Sequence, residues 1–267
     1  MEQPLPGGNA GGAVLVNGTV RRPTGPWTPA VHDLLQYLDR RGFDGAPRPL
    51  GLDAEGREIL SYLPGETVGT SRPWPRWVYS EQALVDVGSW LRRYHDAVAG
   101  YRPRPGAIWR TATRPWHPGD VIGHNDAAPY NAVWRVEPHG SRAARLVGFI
   151  DWDFAAPCPA VWELALLGFS WVPLHARDVV TSAGFTDFAD RPRRLRLLLS
   201  SYGYSSSTDT LLDAVQACVA AHAVGVRERA EAGDPLFRGL VDDGVIDGLD
   251  RALDELARDR ADFDRRT

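Results

Sequence analysis

The chain contains no lysine, and all 30 of its basic residues are arginine. Any cation of this protein that neutralises phosphate must therefore be an arginine or a bound metal ion. Cysteine is nearly as scarce, with only Cys158 and Cys218 in 267 residues. Two cysteines exclude a disulfide framework and a cysteine-rich zinc site, and they are typical of a reducing compartment.

Features that point to a nucleic-acid or membrane partner are also missing. The formal net charge is −4 and the pI is about 6.0, whereas a protein that holds nucleic acid by charge is basic. The longest apolar run, Leu164 to Leu174, is about half as long as a membrane-spanning helix. The first residues lack the basic and apolar regions of a signal peptide. We expect a cytoplasmic protein without nucleic-acid or membrane partners, and both monomer and homodimer remain open.

The first part of the chain has signals for short strands around one helix. Asn17-Gly18, between two β-prone runs, predicts a two-residue hairpin turn. Helical spacing of apolar residues predicts a helix from Thr28 to Arg41, with Thr28 as its N-cap. Pro49 and Gly51 then indicate a loop.

The pattern changes after Pro64-Gly65. Residues 1–64 have the strand signals and one helix, whereas residues 65–267 have mainly helical signals, interrupted by one hairpin. The prediction is an α+β protein with a small strand-rich N-lobe and a larger helical C-lobe. Functional sites of such proteins commonly lie in the cleft between the lobes.

Polar residues flank the predicted hairpin of the C-lobe. His124-x-Asp126-x-x-x-x-Asn131 precedes its first strand, and Asp151-x-Asp153 follows its apolar second strand. Because antiparallel pairing returns the chain to its starting point, we expect Asp126, Asn131 and Asp151 to converge. For His124 we expect a structural role, in which it holds the loop through hydrogen bonds to the backbone.

This set of side chains suits metal-assisted phosphoryl transfer. Two carboxylates and an amide oxygen are hard ligands of the kind that Mg²⁺ takes beside substrate phosphates. Asn131 and Asp151 can hold the metal, which leaves Asp126 to orient and deprotonate a hydroxyl. The alternative is a capped turn with surface carboxylates, but it does not explain why an apolar strand delivers Asp151 to a protected place.

Two segments, HNDAAPYN and FIDWDFAAP, resemble the aminoglycoside phosphotransferase and choline kinase-like family, whose fold is that of protein kinases. The family pattern is His-Gly-Asp, four residues, Asn, and then Ile-Asp-Trp-Asp or Glu, so that Asn125 stands where glycine is usual. The resemblance extends over nearly the whole chain. Segments such as LPGGNAGGAVLVNGTVRRP and GREILSYLPG are similar to an actinobacterial branch of the family that is related to trifolitoxin immunity.

The resemblance implies a role for each residue of the motif. Asp126 would be the catalytic base, and Asn131 and Asp151 would bind Mg²⁺. Asp153 would support the site from just outside it or ligate the metal. A nucleotide, ATP or alternatively GTP, would be the phosphate donor.

The resemblance also implies a nucleotide site in the N-lobe. A glycine-rich loop would cover the phosphates, because glycines let backbone N–H groups approach them. The loop runs from Gly7 to Gly12, and its nucleotide-binding residues would be Gly7, Gly8 and Asn9. Ser61-Tyr62-Leu63 resembles the hinge whose backbone meets adenine, with Ser61 and Leu63 as the contacting residues.

A cation on the third strand would hold the α- and β-phosphates, and Arg21 is the best match, with Arg22 beside it. Alternation places their side chains on opposite faces, so that only one points into the cleft. Kinases pair this cation with a helix glutamate, which the predicted helix lacks. His32 and Asp33 lie near the expected place. Either the pairing is remodelled or nucleotide affinity is low.

Three functions fit these features. The first is an ATP- and Mg²⁺-dependent phosphotransferase that moves the γ-phosphate to a hydroxyl of a small molecule, such as an antibiotic or a natural product. The second has a Ser or Thr of a precursor peptide as the acceptor. The third is a catalytically weak kinase-fold protein that binds a toxin or antibiotic; the missing glutamate favours it and the intact motif opposes it. A metal hydrolase is disfavoured, because the histidines lack metal-ligand spacing.

Overall fold

The computed structural model describes residues 2–5, 12–69, 72–136 and 144–264. Its contacts divide the chain into two compact units. The first unit comprises Met1–Thr70 and Trp90–Ala160, and the second comprises Ser71–Ser89 and Val161–Thr267. The domain boundary at Pro64-Gly65 stays a prediction.

A five-stranded antiparallel sheet forms the N-lobe. Its strands are β1 (Gln3–Pro4), β2 (Val14–Val16), β3 (Thr19–Arg22), β4 (Pro49–Leu52) and β5 (Glu58–Ser61). Their spatial order is β1-β2-β3-β5-β4. The predicted hairpin joins β2 to β3, and Asn17 and Gly18 have φ values of 50° and 76°, which a tight turn of this hand requires. The predicted loop at Pro49 is wrong, because this segment pairs with β5 as an edge strand.

One helix, α1 (Thr28–Arg40), accompanies the sheet. Its buried residues recur at helical spacing along one face: Val31, Leu34, Leu35 and Leu38. The prediction of Thr28 as N-cap is wrong by one residue, since Trp27 takes that position. Thr28 is instead inside the first turn, where its hydroxyl oxygen accepts a hydrogen bond from the backbone N–H of Gly25.

The rest of the first unit is built on the part of α2 (Glu81–Val98) from Trp90 onward and on four short strands. The strands are β6 (Val121–Gly123), β7 (Ala132–Val136), β8 (Ala144–Phe149) and β9 (Ala156–Cys158). β7 and β8 form the predicted antiparallel hairpin, with Ala132 opposite Phe149. β6 and β9 pair antiparallel as well, which brings residues 123 and 156 together. The motif residues therefore lie on two turns that the strands hold side by side.

A buried cluster of aromatic side chains includes residues that adjoin these turns. The ring centroids of Trp90 and Tyr94 on α2 are 5.3 Å apart, and Trp90 lies 4.5 Å from Phe149. Trp152 packs edge-on against Tyr94 at 5.3 Å. All four of these rings are at most 2% exposed, so the residues that precede and follow them have little freedom to move.

The second unit is helical. Its helices are α3 (Ala160–Trp171), α4 (Arg177–Ser182), α5 (Arg191–Tyr202), α6 (Thr208–Glu231), α7 (Pro235–Asp242) and α8 (Val245–Asp264). Arg194 is buried among them and donates hydrogen bonds to the carbonyl oxygens of Tyr79 and Trp171 at 2.6 and 3.1 Å. Within the described ranges, no helix combines the length and the apolar character needed to cross a membrane.

Candidate active site

The turn after β6 has a left-handed residue at its centre. Asn125 has φ 60°, a conformation that asparagine tolerates better than most residues other than glycine. Its side-chain amide lies 3.2 to 3.3 Å from the carbonyl oxygens of Gly123, Phe154 and Ala156. Asparagine thus replaces the usual glycine here and also ties the two turns together.

His124 is completely buried and contacts the backbone of both turns. Its Nδ1 accepts a hydrogen bond from the N–H of Asp126 at 3.3 Å, so Nε2 carries the proton and donates to the carbonyl of Ile150 at 3.0 Å. These are the contacts that a loop-holding role requires. They set the distance between Asp126 and the residue that follows Ile150.

Asp126 and Asn131 are joined directly. The Nδ2 of Asn131 donates to Asp126 Oδ2 at 2.8 Å and to the Asp126 carbonyl at 2.9 Å. The other carboxylate oxygen, Oδ1, accepts a hydrogen bond from the Tyr130 hydroxyl at 2.6 Å. Each oxygen of the Asp126 carboxylate therefore accepts one hydrogen bond from a neighbouring side chain.

The electrostatic environment prepares Asp126 to exchange a proton near neutral pH. Burial raises the pKa of Asp126 to about 7, and repulsion by the Asp151 carboxylate adds to the effect. The hydrogen bonds from Tyr130 and Asn131 offset part of it. A carboxylate with such a pKa is suited to general-base catalysis.

Asp151 stands at the end of β8 in a left-handed conformation, with φ 62°. The N–H of Ile150 donates to the carbonyl oxygen of Asn131 at 3.0 Å, which keeps Asp151 beside the Asn131 turn. The Asp151 side chain is 29% exposed, and its Oδ1 lies 3.1 Å from Arg22 Nη1. The structure thus brings Asp126, Asn131 and Asp151 together.

Arg22 is the centre of the charged network around these residues. Its guanidinium contacts Asp151, Asp153 Oδ2 at 2.5 Å and Glu58 Oε1 at 2.9 Å. Burial lowers the pKa of Arg22, but the three carboxylates outweigh burial and raise it, so Arg22 remains charged. Glu58 is only 3% exposed and also lies 2.7 Å from His32 Nε2.

Asp153 lies outside the Asp126–Asn131 pair and joins several segments. Arg22 contacts it from β3, Trp27 hydrogen-bonds to it from the start of α1, and Arg110 lies 3.8 Å away. Burial raises the pKa of Asp153, and the attraction of Arg22 offsets part of that rise. Arg110 stacks on Trp27 at 4.5 Å and on Phe154 at 5.6 Å. Asp153 is therefore placed to hold other residues in position.

The other predicted site residues lie on β3, at or just after the end of β5, or outside the described residues. Arg21, chosen over Arg22 as the phosphate cation, instead hydrogen-bonds to Thr19 and lies 3.8 Å from Asp53. Its role in nucleotide binding stays a prediction. Ser61 and Leu63 lie at the end of β5 and just after it, and their contact with a nucleotide also stays a prediction. Gly7, Gly8 and Asn9 lie outside the described residues.

The donor set fits a magnesium ion. Since Asn131 turns its Nδ2 toward Asp126, its Oδ1 is the atom left for a metal, and Asp151 adds a carboxylate. Among the described residues, no group of three or more His, Cys, Asp or Glu side chains could hold a metal. Mg²⁺ needs no such group, because it commonly takes one or two protein oxygens together with waters and substrate phosphates.

Sequence reasoning missed four residues of the site: Glu58, Tyr130, Trp27 and Arg110. Glu58 had a detectable signal, since it is a charged residue at the start of an apolar strand. Tyr130 lies inside the motif, at a position that the spacing pattern leaves open. The other two carry no local signal, because they reach Asp153 from distant segments.

Comparisons with known proteins agree with the fold. A solved GDP complex of aminoglycoside 2′-phosphotransferase-IIIa matches with a TM-score of 0.62 at 15% identity, over 96% of this chain and 93% of that one. A choline/ethanolamine kinase family protein from Mesorhizobium loti matches with a TM-score of 0.53 at 13% identity, over 95% and 91% of the two chains. The predicted two-lobed, protein-kinase-like fold is therefore confirmed.

Sequence comparison identifies the family. No family model matches the chain. The trifolitoxin immunity protein of Rhizobium leguminosarum bv. trifolii is 37% identical over 205 residues, which are 75% of this chain and 74% of that protein. At this identity and coverage, the chain belongs to the trifolitoxin immunity protein family.

Proposed function

We propose that the protein is a Mg²⁺-dependent phosphotransferase that moves the γ-phosphate of a nucleoside triphosphate to a hydroxyl group of a small molecule. The observation that carries this proposal is the bond between Asn131 Nδ2 and Asp126 Oδ2, at 2.8 Å, beside Asp151. It unites a base of raised pKa with two oxygen ligands suited to the metal. Such a set positions a nucleophile and neutralises phosphate charge, which are the main tasks of phosphoryl transfer.

The residues would divide the work as follows. Asp126 would accept the proton of the acceptor hydroxyl while the oxygen of that hydroxyl forms a bond to the γ-phosphorus. The bond from this phosphorus to the β–γ bridging oxygen would break, and its electron pair would leave with the nucleoside diphosphate. Asn131 and Asp151 would hold Mg²⁺, which supplies positive charge against the phosphates when it is bound. Arg22 already lies among the acidic residues, and its forked guanidinium can bind a phosphate oxygen pair. His124 and Asp153 would keep these groups in place.

The donor is ATP or GTP. The GDP complex of the aminoglycoside 2′-phosphotransferase-IIIa structure supports nucleotide binding in this fold. In this protein the proposed contacts are the glycine-rich loop with Gly7, Gly8 and Asn9, and the segment from Ser61 to Leu63. The cytoplasm, where nucleoside triphosphates are abundant, is the proposed compartment.

The acceptor is a toxin, an antibiotic or another natural product with an accessible hydroxyl. The name of the trifolitoxin immunity protein connects this family to self-protection, and phosphorylation of a toxic compound would provide protection. Aminoglycosides and choline-like alcohols, which the names of the structural neighbours suggest, belong in the first set of compounds to test.

The proposal is tested by phosphate transfer from Mg-ATP and Mg-GTP to a panel of hydroxyl compounds, read by mass spectrometry. Asp126→Asn should lower the transfer rate by about 10²- to 10⁴-fold, the usual contribution of a general base. Asp96→Asn is the matched control, because Asp96 carries the same charge but is 66% exposed on α2. A wild-type protein that neither binds nucleotide nor transfers phosphate would refute the proposal.

A second candidate function is protection by binding alone. Two observations favour it: the immunity name of the relative, and the ion pair of Arg22 with Asp151, which already neutralises a proposed metal ligand. The two functions are separated by a protection assay, in which a sensitive bacterium expresses either the wild type or Asp126→Asn and is exposed to the toxin. Protection that survives the substitution supports binding, and protection that disappears supports phosphorylation.

A further inference from the structure

A hydroxyl group of the protein itself already forms a hydrogen bond with the carboxylate of the candidate base, Asp126. The Tyr130 hydroxyl donates to Asp126 Oδ1 at 2.6 Å, whereas Oδ2 is held by the Asn131 amide at 2.8 Å. An acceptor substrate would need the same kind of bond, from its own hydroxyl to this carboxylate. Tyr130 therefore stands where the proposed reaction requires the acceptor.

The local fold explains why Tyr130 points to this position. Pro129–Asn131 is a single 3₁₀ turn, closed by a hydrogen bond from the Asn131 N–H to the Ala128 carbonyl at 3.0 Å. The turn buries Pro129 and Asn131. Tyr130, between them, is 40% exposed, so it is not part of the buried core.

Tyr130 is not required to hold Asp126 in place. The carboxylate is already fixed by Asn131, and the Asp126 backbone is fixed by its bond to His124 Nδ1. A third restraint from an exposed phenol adds little positional control to a residue held in this way. The hydrogen bond from Tyr130 has a chemical consequence instead, because it uses the oxygen Oδ1 of the Asp126 carboxylate.

We propose that Tyr130 is a removable plug on the acceptor position of Asp126. Its hydroxyl occupies the base when no acceptor is bound, keeps water away from that position, and is displaced by the acceptor hydroxyl. The plug suppresses wasteful hydrolysis of the nucleotide. This inference rests on the proposed phosphotransferase function.

The reaction that the plug suppresses is ordinary hydrolysis. A water molecule at the vacated position gives one proton to Asp126, and its oxygen forms a bond to the γ-phosphorus. The bond from that phosphorus to the β–γ bridging oxygen breaks, and its electron pair leaves with the nucleoside diphosphate. The products are inorganic phosphate and nucleoside diphosphate, so the reaction needs no substrate other than water and the nucleotide.

Tyr130→Phe removes the hydroxyl and keeps the ring, so it tests the plug without a known acceptor. We expect phosphate release from Mg-ATP or Mg-GTP in acceptor-free buffer to rise about tenfold, the change expected when one hydrogen bond to a charged group is lost. Tyr204→Phe is the matched control, because the buried Tyr204 hydroxyl has no hydrogen-bond partner among the described residues. Urea unfolding of each protein establishes that it is folded.

Two further measurements distinguish the plug from other roles. The double variant Tyr130→Phe/Asp126→Asn should hydrolyse the nucleotide no faster than Asp126→Asn alone, because the added hydrolysis needs the base. Peptide mass spectrometry of the wild type after incubation with Mg-nucleotide should find no phosphate on Tyr130. Phosphate on Tyr130 would make it an acceptor and overturn the plug, as would a rate increase that persists in the double variant.

The remaining outcomes separate this inference from the function on which it rests. If the proteins bind nucleotide and Tyr130→Phe hydrolyses it no faster than the wild type, the plug is refuted and the phosphotransferase proposal stands. If no variant shows a nucleotide-dependent thermal shift or any hydrolysis, the phosphotransferase proposal fails, and the plug fails with it.

Discussion

Arg22 and Glu58 face each other across β3 and β5 and form an ion pair, with Arg22 Nε 2.9 Å from Glu58 Oε1. The second carboxylate oxygen of Glu58 lies 2.7 Å from Nε2 of His32 on α1. Helix α1 therefore contributes a histidine, and β5 a carboxylate, to the charged group around Arg22. The same guanidinium also contacts Asp151 and Asp153.

Removing the charge of Glu58 should weaken the fold. Glu58→Gln leaves Arg22 with two of its three carboxylates and breaks a buried ion pair, so we expect the free energy of unfolding to fall by about 1–3 kcal/mol. Urea denaturation measures this change. Glu55→Gln is the matched control, since the Glu55 side chain is 72% exposed, and it should change stability by less than about 0.5 kcal/mol. Equal effects of the two substitutions would argue against a stabilising role for the Glu58 pair.

The neighbouring arginines should differ in their effect on nucleotide binding. Arg22 lies among the candidate catalytic acids, whereas Arg21 contacts Thr19 and Asp53. Arg22→Lys keeps the charge but loses the fork, and we expect the Kd for Mg-nucleotide to rise about tenfold or more. Arg21→Lys should change it by less than about threefold. Calorimetric titration compares the two variants, and a larger effect at Arg21 would favour Arg21 as the phosphate-binding cation.

The features that the sequence predicted well depend on short-range patterns. The hairpin turn at Asn17-Gly18 requires only that two consecutive residues adopt positive φ, and both of them do. The convergence of Asn131 and Asp151 follows from one antiparallel hairpin, whose strands are visible as apolar runs. Such features need no knowledge of the rest of the molecule.

The features that escaped prediction depend on pairing between distant segments. Alternation shows that Arg21 and Arg22 point opposite ways, but the contact with Glu58 on β5 decides which of them meets the acids. Pro49 and Gly51 carry loop signals, and pairing with β5 nevertheless makes their segment a strand. Tertiary contacts override local preference in both cases.

A close backbone contact at Gly148 should make that position intolerant of any side chain. A Cβ on Gly148 would lie 2.3 Å from the carbonyl oxygen of Gly45, which accepts hydrogen bonds from Phe149 N–H and Trp90 Nε1, both at 3.1 Å. Gly148→Ala must push this contact apart, and we expect the free energy of unfolding to fall by about 1–3 kcal/mol. Thermal or urea unfolding measures the loss.

Gly239 on α7 is the matched control for this substitution. A Cβ there meets nothing within 4 Å, so Gly239→Ala should raise stability by about 0.5–1 kcal/mol, the usual gain for alanine over glycine in a helix. If Gly148→Ala were equally harmless, the backbone contact would not constrain the hairpin that carries Asp151.

The ionised carboxylate of Asp126 should lower the free energy of unfolding of the protein at alkaline pH. Its pKa is about 7 in the folded protein and near 3.8 in the unfolded chain, so the folded state binds the proton more tightly. The resulting contribution to stability is complete below pH 3.8 and is lost as the pH rises through 7. Asparagine cannot ionise, and it can still accept from Asn131 and donate to the Tyr130 oxygen.

Asp126→Asn should therefore become more stable relative to the wild type as the pH rises. Between pH 5 and pH 8 we expect the difference in unfolding free energy to grow by about 2.5 kcal/mol in favour of the variant. Urea denaturation in chelator-containing buffer measures it without bound metal. Asp96→Asn, at an exposed site, should show no such growth. A pH-independent difference at position 126 would mean that the carboxylate is ionised over the whole range and that burial does not tune it as a base.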